Sequence, residues 1–198
     1  YNFVNQKNSD PMDAILANTI LGLSNYVMLN KPDMMVVHGD RVEALAGAIV
    51  GALNNIIVSH IEGGEISGTI DESIRHAVSK LSHLHFVANE KAKKRLVQMG
   101  EAPSNIYIIG SPDIDLMSSP DLVSIEEAKR YYGVPFDKYA ILVYHPVATS
   151  IHNLLDKTRE LLMAVVDSGR NYIVIYPNND TGCDIIIEEY GQLKDNNR

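Results

Sequence analysis

Residues 34–76 read MMVVHGDRVEALAGAIVGALNNIIVSHIEGGEISGTIDESIRH, and their pattern decides the fold. Two apolar runs, 34–38 and 56–60, are rich in Val, Ile and Met and too short for helices. Each breaks into polar residues: Gly39, Asp40 and Arg41 after the first, Glu62, Gly63, Gly64 and Glu65 after the second. Such runs are expected as strands buried on both faces of a parallel sheet. Ligands of parallel sheets sit beyond the carboxyl ends of the strands. His38, Asp40, His60 and Glu62 are therefore expected at one crevice. Asp71 joins them from the helix start to which the loop 63–68 leads.

Outward from this stretch, the chain alternates. Asp10-Pro11 reads as a helix start, with Asp10 as the cap and Pro11 at the first helical position. Met12, Ile15, Leu16, Thr19, Ile20 and Leu23 recur at helical spacing and carry that helix to about Leu29. Residues 41–53 are small and apolar nearly all round. That fits a helix packed on the sheet, and equally one buried between subunits. A helix over 71–82, capped by Asp71, Ser73 or Thr69, leads to a strand at 84–88, a helix at 90–99 and a strand at 106–109. Gly110-Ser111-Pro112 follows and reads as a hinge. Beyond it come a helix around 114–117 and another opened by Ser124 and Glu127. A strand at 140–144 ends in His145-Pro146, and after a helix over 152–167 a strand at 172–176 ends in Pro177-Asn178-Asn179-Asp180. The expected class is α/β with parallel sheets. The pattern restarts after Gly110, so two similar domains, 1–110 and 111–198, are expected to face each other across a cleft.

Composition narrows the function. The 198 residues carry a net charge of −8, which argues against broad nucleic-acid binding and against an anionic membrane surface. It leaves room for an anionic small ligand, which one Arg or helix N-terminus can hold. The apolar stretch 44–53 is far short of the roughly 20 residues of a membrane span. The single cysteine, Cys183, rules out an intramolecular disulfide, and no signal peptide is visible. Both fit a reducing, cytoplasmic setting. The chain opens on Tyr1-Asn2-Phe3 without an initiator Met and stops at Asn196-Asn197-Arg198, so it is expected to be part of something longer.

Asp40, Glu62 and Asp71 are the strongest chemical signal. Crowded carboxylates raise each other's pKa, so one holds a proton while a neighbour accepts one. Asp40 or Asp71 taken alone fits a cap at a helix N-terminus better than chemistry. Three carboxylates on one rim point to chemistry instead. His38 and His60 lack the tight spacing of metal ligands, and ligand contacts or structural hydrogen bonds are expected of them. The loop 63–68 is a place where backbone N–H groups could approach a phosphate or sugar. Arg75, four residues after Asp71, suggests a local ion pair.

At this point the residues resemble a known family. His38-Gly39-Asp40-Arg41, Ser59-His60-Ile61-Glu62-Gly63-Gly64-Glu65 and the run from Ser67 to His76 are similar to the hydrolysing UDP-N-acetylglucosamine 2-epimerases. The likeness is closest to their sialic-acid-pathway branch. Gly110-Ser111-Pro112, Tyr144-His145-Pro146-Val147 and Tyr176-Pro177-Asn178 continue it in order and spacing. The resemblance implies two Rossmann-like domains in a glycosyltransferase-B-like arrangement, here truncated at both ends. It implies a UDP-sugar substrate, no cofactor, no metal and a homo-oligomer, typically a dimer. It implies elimination of UDP to a 2-acetamidoglucal, then hydration to N-acetylmannosamine. Asp40, Glu62 and Asp71 match the essential carboxylates. Arg41, His145 and Asn178 match residues that contact UDP, with His38, His60 and Arg75 also on the substrate side. Asp184 stands where the animal enzyme has an allosteric lysine, which favours a bacterial biosynthetic enzyme. Relatives acting on UDP-N,N′-diacetylbacillosamine, transferases of the same fold and nucleotide-sugar-binding modules are the competing readings.

Overall fold

The computed structural model describes residues 1–7, 10–178 and 180–194. It divides into two compact units, Tyr1–Pro120 and Asp121–Arg198.

The first unit opens with α1 (Met12–Asn30). Asp10 does not cap it. Pro11 is the N-cap residue, in an extended conformation, and the Asp10 carboxylate instead accepts the Lys7 N–H at 2.8 Å. The helix stops at Lys31, which enters the left-handed region (φ 44°) and donates its N–H to the Val27 carbonyl. By length and composition alone α1 is long and apolar enough to cross a membrane. Its buried residues, however, meet α2 (Val42–Leu53): Ile15 packs with Val42, Ala44 and Ala48, and Val27 with Val50.

Four parallel strands form one sheet in chain order: β1 (Met34–His38), β2 (Ile57–Ile61), β3 (Leu84–Val87) and β4 (Ile106–Ile108). Met34 pairs with Ile57, Ser59 with Leu84 and His85 with Ile106. The crossovers are α2, α3 (Ile70–Leu81) and α4 (Glu90–Gln98). Right-handed crossovers between strands laid down in sequence order put their helices on one face of the sheet. That face carries the core. Val37 and Val58 meet α2, Val78 of α3 joins them, and Val87 and Ile106 close on Ala92 and Leu96 of α4. α2 can lie this close because it presents glycines. A Cβ at Gly47 would stand 2.7 Å from Val37, and one at Gly51 2.5 Å from Val58. The small residues of α2 are thus spent on the sheet and on α1.

The opposite face differs from expectation. Met34, Val36, Ile57 and Tyr107 are exposed among the described residues, so β1 is buried on one face only. The apolar run predicted two covered faces; among the described residues the three crossover helices cover one.

Two residues past β4 the chain turns at Gly110 (φ 82°), and α5 (Pro112–Met117) follows. The first unit runs eight residues past the Gly-Ser-Pro turn, to Pro120. The second unit holds α6 (Ile125–Tyr131), capped by Ser124 accepting the Glu127 N–H at 3.2 Å. A two-stranded parallel sheet of β5 (Ala140–Val143) and β6 (Tyr172–Ile175) follows, with α7 (Leu154–Asp167) and α8 (Cys183–Lys194). Its core is Leu142, Leu154, Leu162, Ile186 and Tyr190. A short 3₁₀ segment, Ala148–Asn153, precedes α7, so the helix starts two residues later than its periodicity predicts. Both sheets are parallel and alternate with helices, as the α/β class requires.

Candidate active site

Three adjacent strand ends assemble the site. Beyond β1, the Gly39 N–H donates to the Ile61 carbonyl at 3.0 Å. Beyond β2, the Glu62 N–H donates to the Phe86 carbonyl at 2.8 Å. These bonds extend the sheet by one step past the strands and bring Asp40 and Glu62 to one rim.

Glu62 sits in the left-handed region (φ 64°), where a residue with a Cβ is strained. Both its carboxylate oxygens are engaged. His38 stands with Nε2 2.8 Å from Oε2, and Ser111 donates its hydroxyl to Oε1 at 2.8 Å. Burial opposes ionisation of Glu62, yet the hydrogen bonds from His38 and Ser111, with the charge of Arg75, outweigh it and hold the carboxyl below its usual range. An ionised Glu62 accepts, so His38 carries its hydrogen on Nε2.

Asp40 is paired with Arg75 of α3. Arg75 does not reach back to Asp71, four residues earlier, as its spacing suggests. Its Nη2 goes to the Asp40 carboxylate, while Nη1 is buried without a hydrogen-bond partner among the described residues. Asp71 accepts the Thr69 hydroxyl at 3.0 Å on the first turn of the same helix. Thr69 is the N-cap residue but makes no side-chain cap bond.

His60 is fully buried, which separates it from the substrate contacts expected of it. Its Nε2 donates to the Gly39 carbonyl at 2.9 Å, and its Nδ1 takes the Ser79 hydroxyl at 3.0 Å. Burial pushes its pKa down to about 4, against the raising effect of the Gly39 bond, so the ring is neutral. Gly63 lies on the ring: a Cβ there would stand 2.8 Å from Nδ1. His60 thus ties the Asp40 turn, the Glu62 loop and α3 together.

The glycine-rich loop is not a free anion cradle. The Ser67 and Gly68 N–H groups donate to the Glu72 carboxylate at 2.9 and 2.8 Å, which lowers the Glu72 pKa. Asn89 donates to Glu65 at 2.8 Å, and Arg95 holds the Gly64 carbonyl. A Cβ at Gly64 (φ 79°) would stand 2.6 Å from the Ala92 carbonyl, so only glycine lets the loop lie on α4.

Arg41 is the N-cap residue of α2, exposed, with Glu43 3.8 Å away. In the second unit His145 and Asn178 come together beyond β5 and β6. The Asn178 N–H donates to His145 Nδ1 at 3.1 Å, its side-chain amide donates to Asp180 at 2.6 Å, and its Oδ1 is buried without a partner among the described residues. Asn179, quoted with this motif, lies outside the described residues. Among the described residues no group of three or more His, Cys, Asp or Glu is placed to hold a metal ion.

Ser111 is the residue that sequence reasoning missed. It reads as the middle of a hinge, and only the register of β4 beside β3 delivers it to Glu62.

A family model described as UDP-N-acetylglucosamine 2-epimerase matches residues 2–198. The chain belongs to that family. A UDP-N-acetylglucosamine 2-epimerase from Neisseria meningitidis serogroup B is 54% identical over 96% of the chain and 50% of its own length. A UDP-N,N′-diacetylbacillosamine 2-epimerase (hydrolyzing) from Legionella pneumophila is 37% identical over 90% of the chain and 48% of its own. The chain spans about half the length of these relatives. A solved UDP-GlcNAc 2-epimerase from Methanocaldococcus jannaschii, in complex with UDP-GlcNAc and UDP, shares the fold at a TM-score of 0.79. It is 22% identical and covers 96% of this chain against 54% of its own. Asp40 and Glu62 stand at adjacent strand ends of this chain, and Asp71 lies on the first turn of α3.

Proposed function

We propose that this chain carries the proton-handling carboxylates of a hydrolysing UDP-N-acetylglucosamine 2-epimerase. In the first step the C2–H bond breaks, its electron pair forms the C1=C2 bond, and the C1–O bond to UDP breaks. The product is a 2-acetamidoglucal. Water then adds its oxygen at C1 and a proton returns to the other face of C2, giving N-acetylmannosamine. Removing a weakly acidic proton and returning one to the opposite face takes two carboxyl groups in different environments. The observation that carries the reading is that two carboxyl groups at neighbouring strand ends have different partners: Glu62 has the donors His38 and Ser111, Asp40 the cation Arg75. We assign both to the C2 proton and Asp71 to glucal hydration. Arg41, His145 and Asn178 are assigned to UDP, whose departure needs cations and donors. The unpartnered Nη1 of Arg75 fits a sugar or phosphate oxygen.

The test takes the full-length protein in D₂O with UDP-GlcNAc, followed by proton NMR. Release of UDP together with N-acetylmannosamine deuterated at C2 is expected. Asp71→Asn is expected to accumulate the glucal. Turnover with the C2 proton retained would overturn the elimination. The Legionella relative supports a second reading, the same chemistry on UDP-N,N′-diacetylbacillosamine. Consumption of that sugar with UDP-GlcNAc untouched would select it.

A further inference from the structure

We propose that Ser111 is a positioning residue for Glu62: its hydroxyl and His38 hold one carboxylate oxygen each and so fix the direction in which the carboxylate faces the sugar. This rests on the reading of Glu62 as a proton-handling group.

Three observations carry it. Glu62 departs from the backbone in the left-handed region, so no strand packing sets its side chain. Its two oxygens are taken by donors from opposite sides, His38 at the end of β1 and Ser111 beyond β4, each at 2.8 Å. Ser111 is delivered across 49 residues by a turn that needs Gly110 at φ 82° before it and opens into α5 at Pro112. A turn that glycine makes without strain thus places one hydroxyl on one carboxylate.

The choice of a hydroxyl fits a group that changes protonation state. A lysine or an amide N–H can only donate, which favours the carboxylate over the acid. A hydroxyl donates to the carboxylate and, after rotation, accepts from the carboxylic acid. Glu62 can then take up the C2 proton without losing its partner. The charged groups acting on Glu62 are His38 from β1 and Arg75 from α3, the latter paired with Asp40. Loss of Ser111 leaves both in place, which isolates its contribution.

The experiment compares full-length wild type, Ser111→Ala and Ser111→Thr. The titration of the Glu62 carboxyl is read by carbon NMR, its signal assigned by loss in Glu62→Gln. In Ser111→Ala the Glu62 midpoint is expected to rise by about half a pH unit or more, and in Ser111→Thr to stay at the wild-type value. With UDP-GlcNAc, Ser111→Ala is expected to lose about tenfold in kcat with KM changed less than about threefold. The acid limb of its kcat/KM profile should move upward with the midpoint. Ser111→Thr, which keeps the hydroxyl, should restore kcat. An unmoved midpoint in Ser111→Ala would overturn the proposal. So would equal losses in Ala and Thr, which would trace the effect to packing of the turn. If wild type turns over no UDP-sugar, the proposed function fails, while the titration still decides whether Ser111 governs Glu62.

Discussion

At the scale of the residue, the site depends on groups that cannot be read from their neighbours in sequence. His60 shows this. Its position at a strand end suggested a ligand contact, yet the ring is sealed in and holds the Gly39 carbonyl. A histidine with a pKa near 4 in the fold and 6.5 when unfolded binds fewer protons folded than unfolded between those values. Its contribution to stability is complete above pH 6.5 and is lost as pH falls towards 4. Between pH 7 and 4.5 this single group should cost about 2–3 kcal/mol. Urea unfolding at both pH values is expected to show a stability drop in wild type larger by about that amount than in His60→Gln. An equal drop in the two would mean that the ring is protonated in the fold. Arg75 makes the same point about reach. Helical spacing offered it Asp71, but the guanidinium crosses to Asp40, because the end of β1 lies next to α3 in space.

At the scale of the element, strands and helices were largely legible, because periodicity reports which faces need burying. Met34–His38 is the strand that the apolar run predicts, and the other boundaries shift by a residue or two. Cap and packing partners were less legible. Asp10 looked like a cap and is instead a turn acceptor. α2 looked equally suited to a subunit interface, and its glycines meet β1 and β2. Gly51→Ala therefore sets two effects against each other. Helix propensity gains about 1 kcal/mol. A methyl group 2.5 Å from the fully buried Val58 costs about 1–3 kcal/mol by overpacking. Net destabilisation is expected in denaturant titration. Gly191→Ala, on α8 with nothing within 4 Å of the new Cβ, should gain stability by up to about 1 kcal/mol. Equal gains in both variants would show that α2 yields to the methyl group.

At the scale of the molecule, the chain is two compact units of unequal build, one on four parallel strands and one on two. A two-stranded sheet has little core of its own, and here it leans on α7 and α8. The second unit is expected to unfold first. The tyrosines report this directly, since Tyr1, Tyr26 and Tyr107 lie in the first unit and the remaining seven of the ten in the second. With no tryptophan present, tyrosine fluorescence should fall at lower urea than far-ultraviolet circular dichroism. Coincident transitions would show a single cooperative unit. The amino-acid sequence by itself determined the α/β class, the order of the elements and the presence of Asp40 and Glu62 after apolar runs and of Asp71 at a helix start, since hydrophobic period and turn residues are local properties. Tertiary structure alone decided which partners Asp40 and Glu62 have. Strand register set Ser111 on Glu62, and the crossover helix brought Arg75 to Asp40. Each is a contact between residues far apart in the chain, and such contacts leave no period to read.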